Sequence, residues 1–309
     1  MSNKNTSSNK LTPRQIKTLN ELIAIGMQRP NEKEGLIAEI HDSIKEQTSE
    51  VLEKWTSKNF YLTKSQLISS LQCEGLTVAR AEEVNSNFSV PAMVGTFTHM
   101  AVQLAYTHPN LAIDEYVRHA IIGVRSGNEK IDTWWSSCDA GEQSDIIVQV
   151  NSKLINFLDD WPRIDKKWNP RFEETINAKI GNLTLAARAD LVIGRPRTDG
   201  KQTMLIVDLK TGALKDEHED EAMFYALAAG LRYGVTPWRS TVYSLSSGEW
   251  TDPDVTADKL YDISEKVVKS LKSTINVLTE QVAASLTPGD YCTWCPAKNT
   301  CSAYSTKVK

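Results

Sequence analysis

The stretch AARADLVIGRPRTDGKQTMLIVDLKTG, from Ala186 to Gly212, decides how this chain is read. Two apolar runs of β-type residues, Leu185–Ile193 and Met204–Leu209, flank a polar turn containing Gly194, Pro196 and Gly200, which predicts a β-hairpin. Each run carries an acid where a plain strand would have an apolar or neutral residue: Asp190 in the first, Asp208 in the second. Strand alternation puts Asp208 and Lys210 on one face. Burying unpaired charge costs on the order of several kcal/mol, so converging acids and an ammonium need a reason. A divalent cation such as Mg²⁺ supplies one, because hard cations prefer carboxylate oxygens. A lysine beside that cation, its pKa lowered by the neighbouring positive charge, can orient or deprotonate an attacking water. The plain alternative is a solvated Asp–Lys ion pair, since D-x-K triplets are common.

Composition frames that choice. The chain has 309 residues, 40% hydrophobic and 24% charged, enough to bury a large core as a folded soluble protein. No apolar run reaches the length of a membrane span. The start, MSNKNTSSNK, lacks the apolar segment of a secretory signal, so a cytoplasmic location is expected. With a net charge of −4, contact with nucleic acid has to come from a local basic patch.

Along the chain, residues 1–10 read as a polar tail. Thr12-Pro13-Arg14-Gln15 has capping-box spacing and opens a helix to about Gly26; Asn31 to Glu34 repeats the signal ahead of a stripe running from Leu36 to Trp55. These form a helical N-terminal extension, residues 1–60, with a core-packing stripe. A third cap at Thr63–Gln66 precedes a short helix ending near Cys73, then a loop to Pro91. A helix from about Ala92 carries Gly95 and His99 one turn apart. Gly95 implies close approach by another backbone, since glycine costs about 1 kcal/mol in a helix. Residues 114–124 and 141–160 read as helices, with a less regular stretch holding Trp134, Trp135 and Cys138 between them. Strands follow at 171–180, 183–193 and 203–209, a helix at 217–233, a strand at 240–246 and one or two helices over 257–286. The divisions expected are 1–60, a helical part over 61–165, an α/β core over 166–286 and a Cys-rich cap over 287–309.

Cys292, Cys295 and Cys301 bring three thiols within ten residues, C-x2-C-x5-C, in a segment too short for its own core. A metal neutralises such thiolates. Zinc and iron–sulfur centres normally take four ligands. Cys73 is the better fourth candidate because it too follows a short helix and precedes a loop. Spacing alone leaves zinc and iron–sulfur both open.

Together these residues resemble the RecB-like branch of the PD-(D/E)xK nucleases, in particular its cluster-containing members: CRISPR-associated RecB-like exonucleases, the AddB nuclease domain and related phage exonucleases. The similarity runs from about Ser65 to Tyr304. It is carried by Ser65-Gln-Leu-Ile-Ser-Ser-Leu-Gln-Cys73, Gly95-Thr-Phe-Thr-His99, Ala187-Arg188-Ala189-Asp190, Asp208-Leu209-Lys210, Glu221-Ala-Met-Phe-Tyr225 and the last three cysteines. Two positions depart from the family pattern: Ala187 replaces the usual Gly, and Glu221 the usual Gln. The resemblance implies a restriction-endonuclease-like mixed α/β sheet flanked by helices. It implies that His99, Asp190, Asp208 and the Leu209 carbonyl hold one or two Mg²⁺ or Mn²⁺ ions, with Lys210 at the attacking water. It further implies a 4Fe–4S cluster on Cys73, Cys292, Cys295 and Cys301, zinc being the alternative. Tyr225, Glu221 and Arg188 are candidates for contact with substrate.

The activity expected is that of a metal-dependent DNA nuclease, an exonuclease on single strands or DNA ends, serving recombination, end processing, a phage or a defence pathway. A helicase, recombinase or integrase is the class of partner this suggests, with no membrane involved. The competing readings are a catalytically silent, nuclease-derived DNA-binding or scaffold protein, and a zinc-stapled protein whose acids are unrelated to chemistry.

Overall fold

The hairpin expected from the opening stretch forms the middle of a five-stranded mixed sheet. The computed structural model describes residues 10–305 apart from 25, 32, 58, 84–87, 198 and 280–281. The strands are β1 (Phe60–Thr63), β2 (Arg171–Ile180), β3 (Leu183–Ile193), β4 (Leu205–Lys210) and β5 (Arg239–Ser244). β2 runs antiparallel along one edge of β3. The other edge is shared: β1 pairs in parallel with Leu183–Ala186, and β4 pairs antiparallel with Leu191–Ile193. β5 then lies parallel to β4. On that shared edge, residues 187–190 have neither strand as a ladder partner.

Helices cover both faces. In chain order they are α1 (Pro13–Lys17, continued by a π-helical turn Thr18–Ile23), α2 (Leu36–Glu53), α3 (Lys64–Gln72), α4 (Glu74–Glu82), α5 (Val90–Thr107), α6 (Ile113–Ser126), α7 (Glu129–Ser137), α8 (Ala140–Asp160), α9 (Glu217–Tyr233), α10 (Ala257–Leu278) and α11 (Ser302–Ser305). One core packs Leu36, Ile40 and Ile44 of α2 with α9 and α10 against β1, β2 and the first half of β3. A second packs α5, α6 and α8 against Leu205, Val207 and Leu209 of β4 and Tyr243 of β5. The sheet is thus covered on both faces, as a sheet with parallel pairs requires.

Local signals account for many of the boundaries. The capping boxes at Thr12/Gln15 and Thr63/Gln66 both form. Five details differ from expectation. The residue before α2 is Gly35, while Asn31 instead makes a bridge to Lys201. Residues 74–82, expected in a loop, form α4, and residues 129–137 form α7, capped by Asn128. β1 has only four residues, too few for a period to declare itself, and its partner lies far along the chain. Gly95 meets only the Thr211 hydroxyl, 3.9 Å from where its Cβ would be, so no backbone approach explains it. Close approach occurs instead at Gly230 of α9, where a Cβ would stand 2.6 Å from Ile37 Cδ1 of α2.

The α2 stripe is core rather than surface, and Ile40 has no exposed area. Ile40→Ala should therefore lower unfolding free energy by about 2–5 kcal/mol, read from the midpoint of urea denaturation. A loss within experimental error would mean that α2 is not part of the cooperative unit.

Candidate active site

The site forms where β3 and β4 stop pairing. The ladder ends at Leu191↔Val207, so Leu209, two residues on, meets no β3 backbone. Buried peptide groups need partners, and side chains supply them. The Leu209 N–H donates to Asp190 Oδ2 at 2.6 Å. The Leu209 carbonyl lies 3.0 Å from His99 Nε2, on α5. His99 Nδ1 in turn lies 3.2 Å from Asp190 Oδ1, which closes a ring of three residues from three elements. Burial opposes a charged imidazole, but the Asp190 carboxylate outweighs it and holds His99 above its ordinary value of 6.5.

Glu173 of β2 joins this ring. One ligand atom from each of His99, Glu173 and Asp190 lies within 4.8 Å of the others. Glu173 has φ +53°, a left-handed conformation that costs a non-glycine residue about 1 kcal/mol or more. Across this point both strands change faces. Ala187 and Ala189 of β3 pack in one core, whereas Leu191 and Ile193, of the same parity, pack in the other. On β2, Ile176 and Ala178 go to the first core and Phe172 to the second. The strained residue thus sits at the crossover, with its carboxylate among the site acids. Burial and then Asp190 push its pKa up, while Arg188, at 2.6 Å, pulls it down.

Asp208 stands beside that group rather than within it. Its Oδ1 accepts from Lys64 Nζ at 2.8 Å and from the Tyr225 hydroxyl at 2.8 Å, and Tyr225 also lies 3.0 Å from the Arg188 carbonyl. Lys210 Nζ contacts Asp208 Oδ2 and Glu221 Oε2, each at 2.8 Å, and Lys64 reaches Glu221 Oε2 at 3.1 Å. Two ammonium groups and two carboxylates therefore neutralise one another out of water, as buried charge demands. Burial would raise Asp208, yet Lys64 and Lys210 hold it well below the usual carboxylate range. Burial would also lower Lys210, but Asp208 and Glu221 hold it above its ordinary value. The protein's own acids thus act on Lys210 in the direction opposite to the one expected of a neighbouring cation.

The structure brings His99, Asp190, Asp208, Leu209, Lys210, Arg188 and Tyr225 onto one cleft of about 560 Å³, with Glu221 at its floor through the lysines. Arg188 is engaged by Glu173, and Tyr225 by Asp208. His218 accepts the Lys215 amide at 3.1 Å, near the start of α9 and apart from the ring. Sequence reasoning missed two residues. Glu173 was signalled only by two adjacent acids, Glu173-Glu174, inside a strand. Lys64 was signalled only by its place directly after the Thr63 cap. The donor set suits a hard divalent cation: three close side-chain ligands, a carbonyl on the same ring, and a buried Asp208 Oδ2 that faces Lys210 but accepts no directed hydrogen bond.

The four predicted cluster cysteines also converge. Cys73, Cys292, Cys295 and Cys301 line one cavity of about 230 Å³. The segment before the cap docks on the start of α4, with Gly75 N–H donating to the Ser285 carbonyl at 3.3 Å. Backbone amides approach the sulfurs: Thr287 N–H lies 3.5 Å from Cys73 Sγ, and Gly289 N–H 3.3 Å from Cys292 Sγ. Among the described residues no three of these sulfurs lie within 4.8 Å of one another. Four thiolates around a single zinc would stand about 3.8 Å apart, given a Zn–S bond of about 2.3 Å. Cys138 lies elsewhere, its Sγ 3.4 Å from the Trp134 carbonyl.

No curated protein matches the chain. A family model for the PD-(D/E)XK nuclease superfamily matches residues 71–302. That span takes in the His99–Asp190–Leu209 ring, the Asp208–Lys210 pair and all four converging cysteines, and leaves out β1 and Lys64. On that match and on a helix-flanked mixed sheet bearing acids and a lysine where two strands part, the chain belongs to the PD-(D/E)XK nuclease superfamily, whose members are generally metal-dependent nucleases acting on DNA with ions such as Mg²⁺.

Proposed function

We propose that the protein is a metal-dependent exonuclease acting on single-stranded DNA or DNA ends. The observation that carries this reading is the closed ring of His99, Asp190 and Leu209 with Glu173 and Asp208 beside it. A divalent ion held by His99, Glu173, Asp190 and the Leu209 carbonyl, with Asp208 adjoining, would acidify a water and offset charge at the scissile phosphate. Lys210, beside Asp208 and Glu221, would orient that water and offset charge on the phosphate oxygens. Tyr225 and Lys64 hold the Asp208 carboxylate in place. Arg188 is exposed enough to exchange Glu173 for a phosphate. The cleft lies between the sheet and Thr96, Met100, Gln103 and Val124 of α5 and α6. Its volume is that of a small-ligand site, which suits a single strand or a frayed end better than a duplex.

The competing reading, a silent scaffold, draws on Glu221, Ala187 and the mildly acidic net charge. Glu221 finds its counter-charge in Lys64, and Ala187 is buried in well-packed core. Neither departure argues against an active site.

The cysteines we read as ligands of a 4Fe–4S cluster that staples the α3–α4 junction to the C-terminal cap. The lining of one cavity by all four cysteines supports a shared centre.

End-labelled single-stranded DNA with Mn²⁺ should be degraded by the parent protein. Asp190→Asn, Asp208→Ala and Lys210→Ala should each slow this by about 10²-fold or more; undiminished cutting by all three would end the nuclease reading. Calorimetric titration with Mn²⁺ should show weaker binding for Glu173→Gln. In the parent, affinity should fall about tenfold per pH unit below the raised His99 pKa, because the proton and the metal compete for one imidazole. A pH-independent affinity would remove His99 from the ligand set. Protein purified without oxygen should be brown and contain iron, and Cys295→Ser should bleach it and lower its melting temperature. One zinc per colourless chain would overturn the cluster assignment.

A further inference from the structure

A second cleft, of about 610 Å³, opens at the turn between β3 and β4, away from the catalytic ring. Arg29, Lys166, Lys167, Arg195 and Arg197 line it, and among the described residues that line it there is no acid. In a chain of net charge −4 such a concentration of one sign stands out. Arg197 is neutralised by Asp199 at 2.6 Å. Among the described residues no ion pair involves the other four; Arg195 instead donates to the Asn169 side-chain carbonyl at 2.7 Å. Arg29 stacks 3.4 Å over the Trp238 ring, and its Nη1 is buried without a hydrogen-bond partner. Unpaired cations lining one cleft repel one another, and an anion in the cleft relieves that repulsion.

The cleft is tied rigidly to the catalytic ring. The β2–β3 ladder that holds Glu173 and Asp190 continues through Arg171↔Val192. It then reaches the cleft walls, where Gly194 N–H donates to the Trp168 carbonyl at 2.7 Å and Arg171 donates to the Gly194 carbonyl at 2.7 Å. Gly194 lies four residues beyond Asp190. At a strand rise of about 3.3 Å per residue the cleft sits about 13 Å from the ring. Stacked nucleotides rise about 3.4 Å each, so that distance corresponds to about four nucleotides.

We propose that this basic cleft binds the sugar–phosphate backbone of the substrate strand about four nucleotides from the bond being cut. The proposal deepens the nuclease reading and rests on it for the identity of the polyanion. Lys166, Lys167 and Arg195 make the phosphate contacts, and Arg29 closes the inner wall. The cleft contributes to retention of long strands and nothing to the chemical step.

The test uses the full chain with Lys166→Glu, Lys167→Glu and Arg195→Glu combined, three exposed positions outside both cores. Binding of a fluorescent oligothymidylate is followed by anisotropy in EDTA across a salt series. The plot of log affinity against log salt should be shallower by about 2 than for the parent, as loss of three single-strand phosphate contacts requires. With Mn²⁺, KM for the long strand should rise about tenfold or more. Its kcat, and turnover of a trinucleotide too short to reach the cleft, should stay at the parent value. The corresponding Gln triple variant should lose the same part of the slope. An unchanged slope and KM would overturn the proposal. So would a Gln variant that matches the parent, since the Glu effect would then be repulsion alone, or a cleft that binds an acidic peptide but no DNA. A parent that binds DNA but never cuts it would defeat the nuclease reading, while the salt slopes would still decide the cleft.

Discussion

The unpaired backbone of Leu209 is the constraint from which the site follows. A residue in a strand projects its N–H and C=O toward the same neighbour, and for Leu209 that neighbour has turned away. With only 2% of its area exposed, Leu209 cannot use water instead. Asp190 and His99 meet the two groups with side chains and then meet each other. One consequence is an acid, an imidazole and a carbonyl oxygen gathered in one ring. Another is that strand β4 stays joined to β3 after their ladder has ended, so the arrangement that opens a cleft also braces it.

The second organising feature is the neutral set of Lys64, Asp208, Lys210 and Glu221. Each member would be costly out of water by itself, and together they satisfy one another. Glu221 is intelligible only in this company. Its negative charge, unexpected at that position, is matched by Lys64, which stands at the start of a helix more than a hundred residues earlier in the chain. Lys210 is held in the same way, between Asp208 and Glu221 at 2.8 Å from each.

One strained residue lies at the same place. Glu173 holds a left-handed backbone where β2 and β3 exchange faces, and its carboxylate joins the ring. A strand that kept strict alternation through Asp190 would commit Leu191 and Ile193 to the wrong core. The crossover lets one sheet serve two hydrophobic layers, and the acids occupy the point where neither layer claims the side chain. Away from the ring, Cys73 at the α3–α4 junction and three cysteines of the C-terminal cap line one cavity. The cap residues are largely exposed or half-buried and have little core of their own.

Much of this was legible in the residues. The Ala186–Gly212 stretch announces its hairpin through apolar runs and turn residues, and Asp190, Asp208 and Lys210 stand out because acids and amines are rare in such runs. The caps at Thr12 and Thr63, and the cysteine spacing at 292–301, are equally local and equally readable. β1, Lys64 and Glu173 were not. β1 takes its meaning from a partner some 120 residues away. Lys64 matters because of where β1 delivers it, and Glu173 because of a crossover that leaves no periodic trace. Local sequence was enough for strands β2 to β5 and for the chemically unusual groups, since those depend on near neighbours. Only the tertiary structure decided which groups meet, because the end of the β3–β4 ladder and the parallel docking of β1 are set by packing between residues distant along the chain.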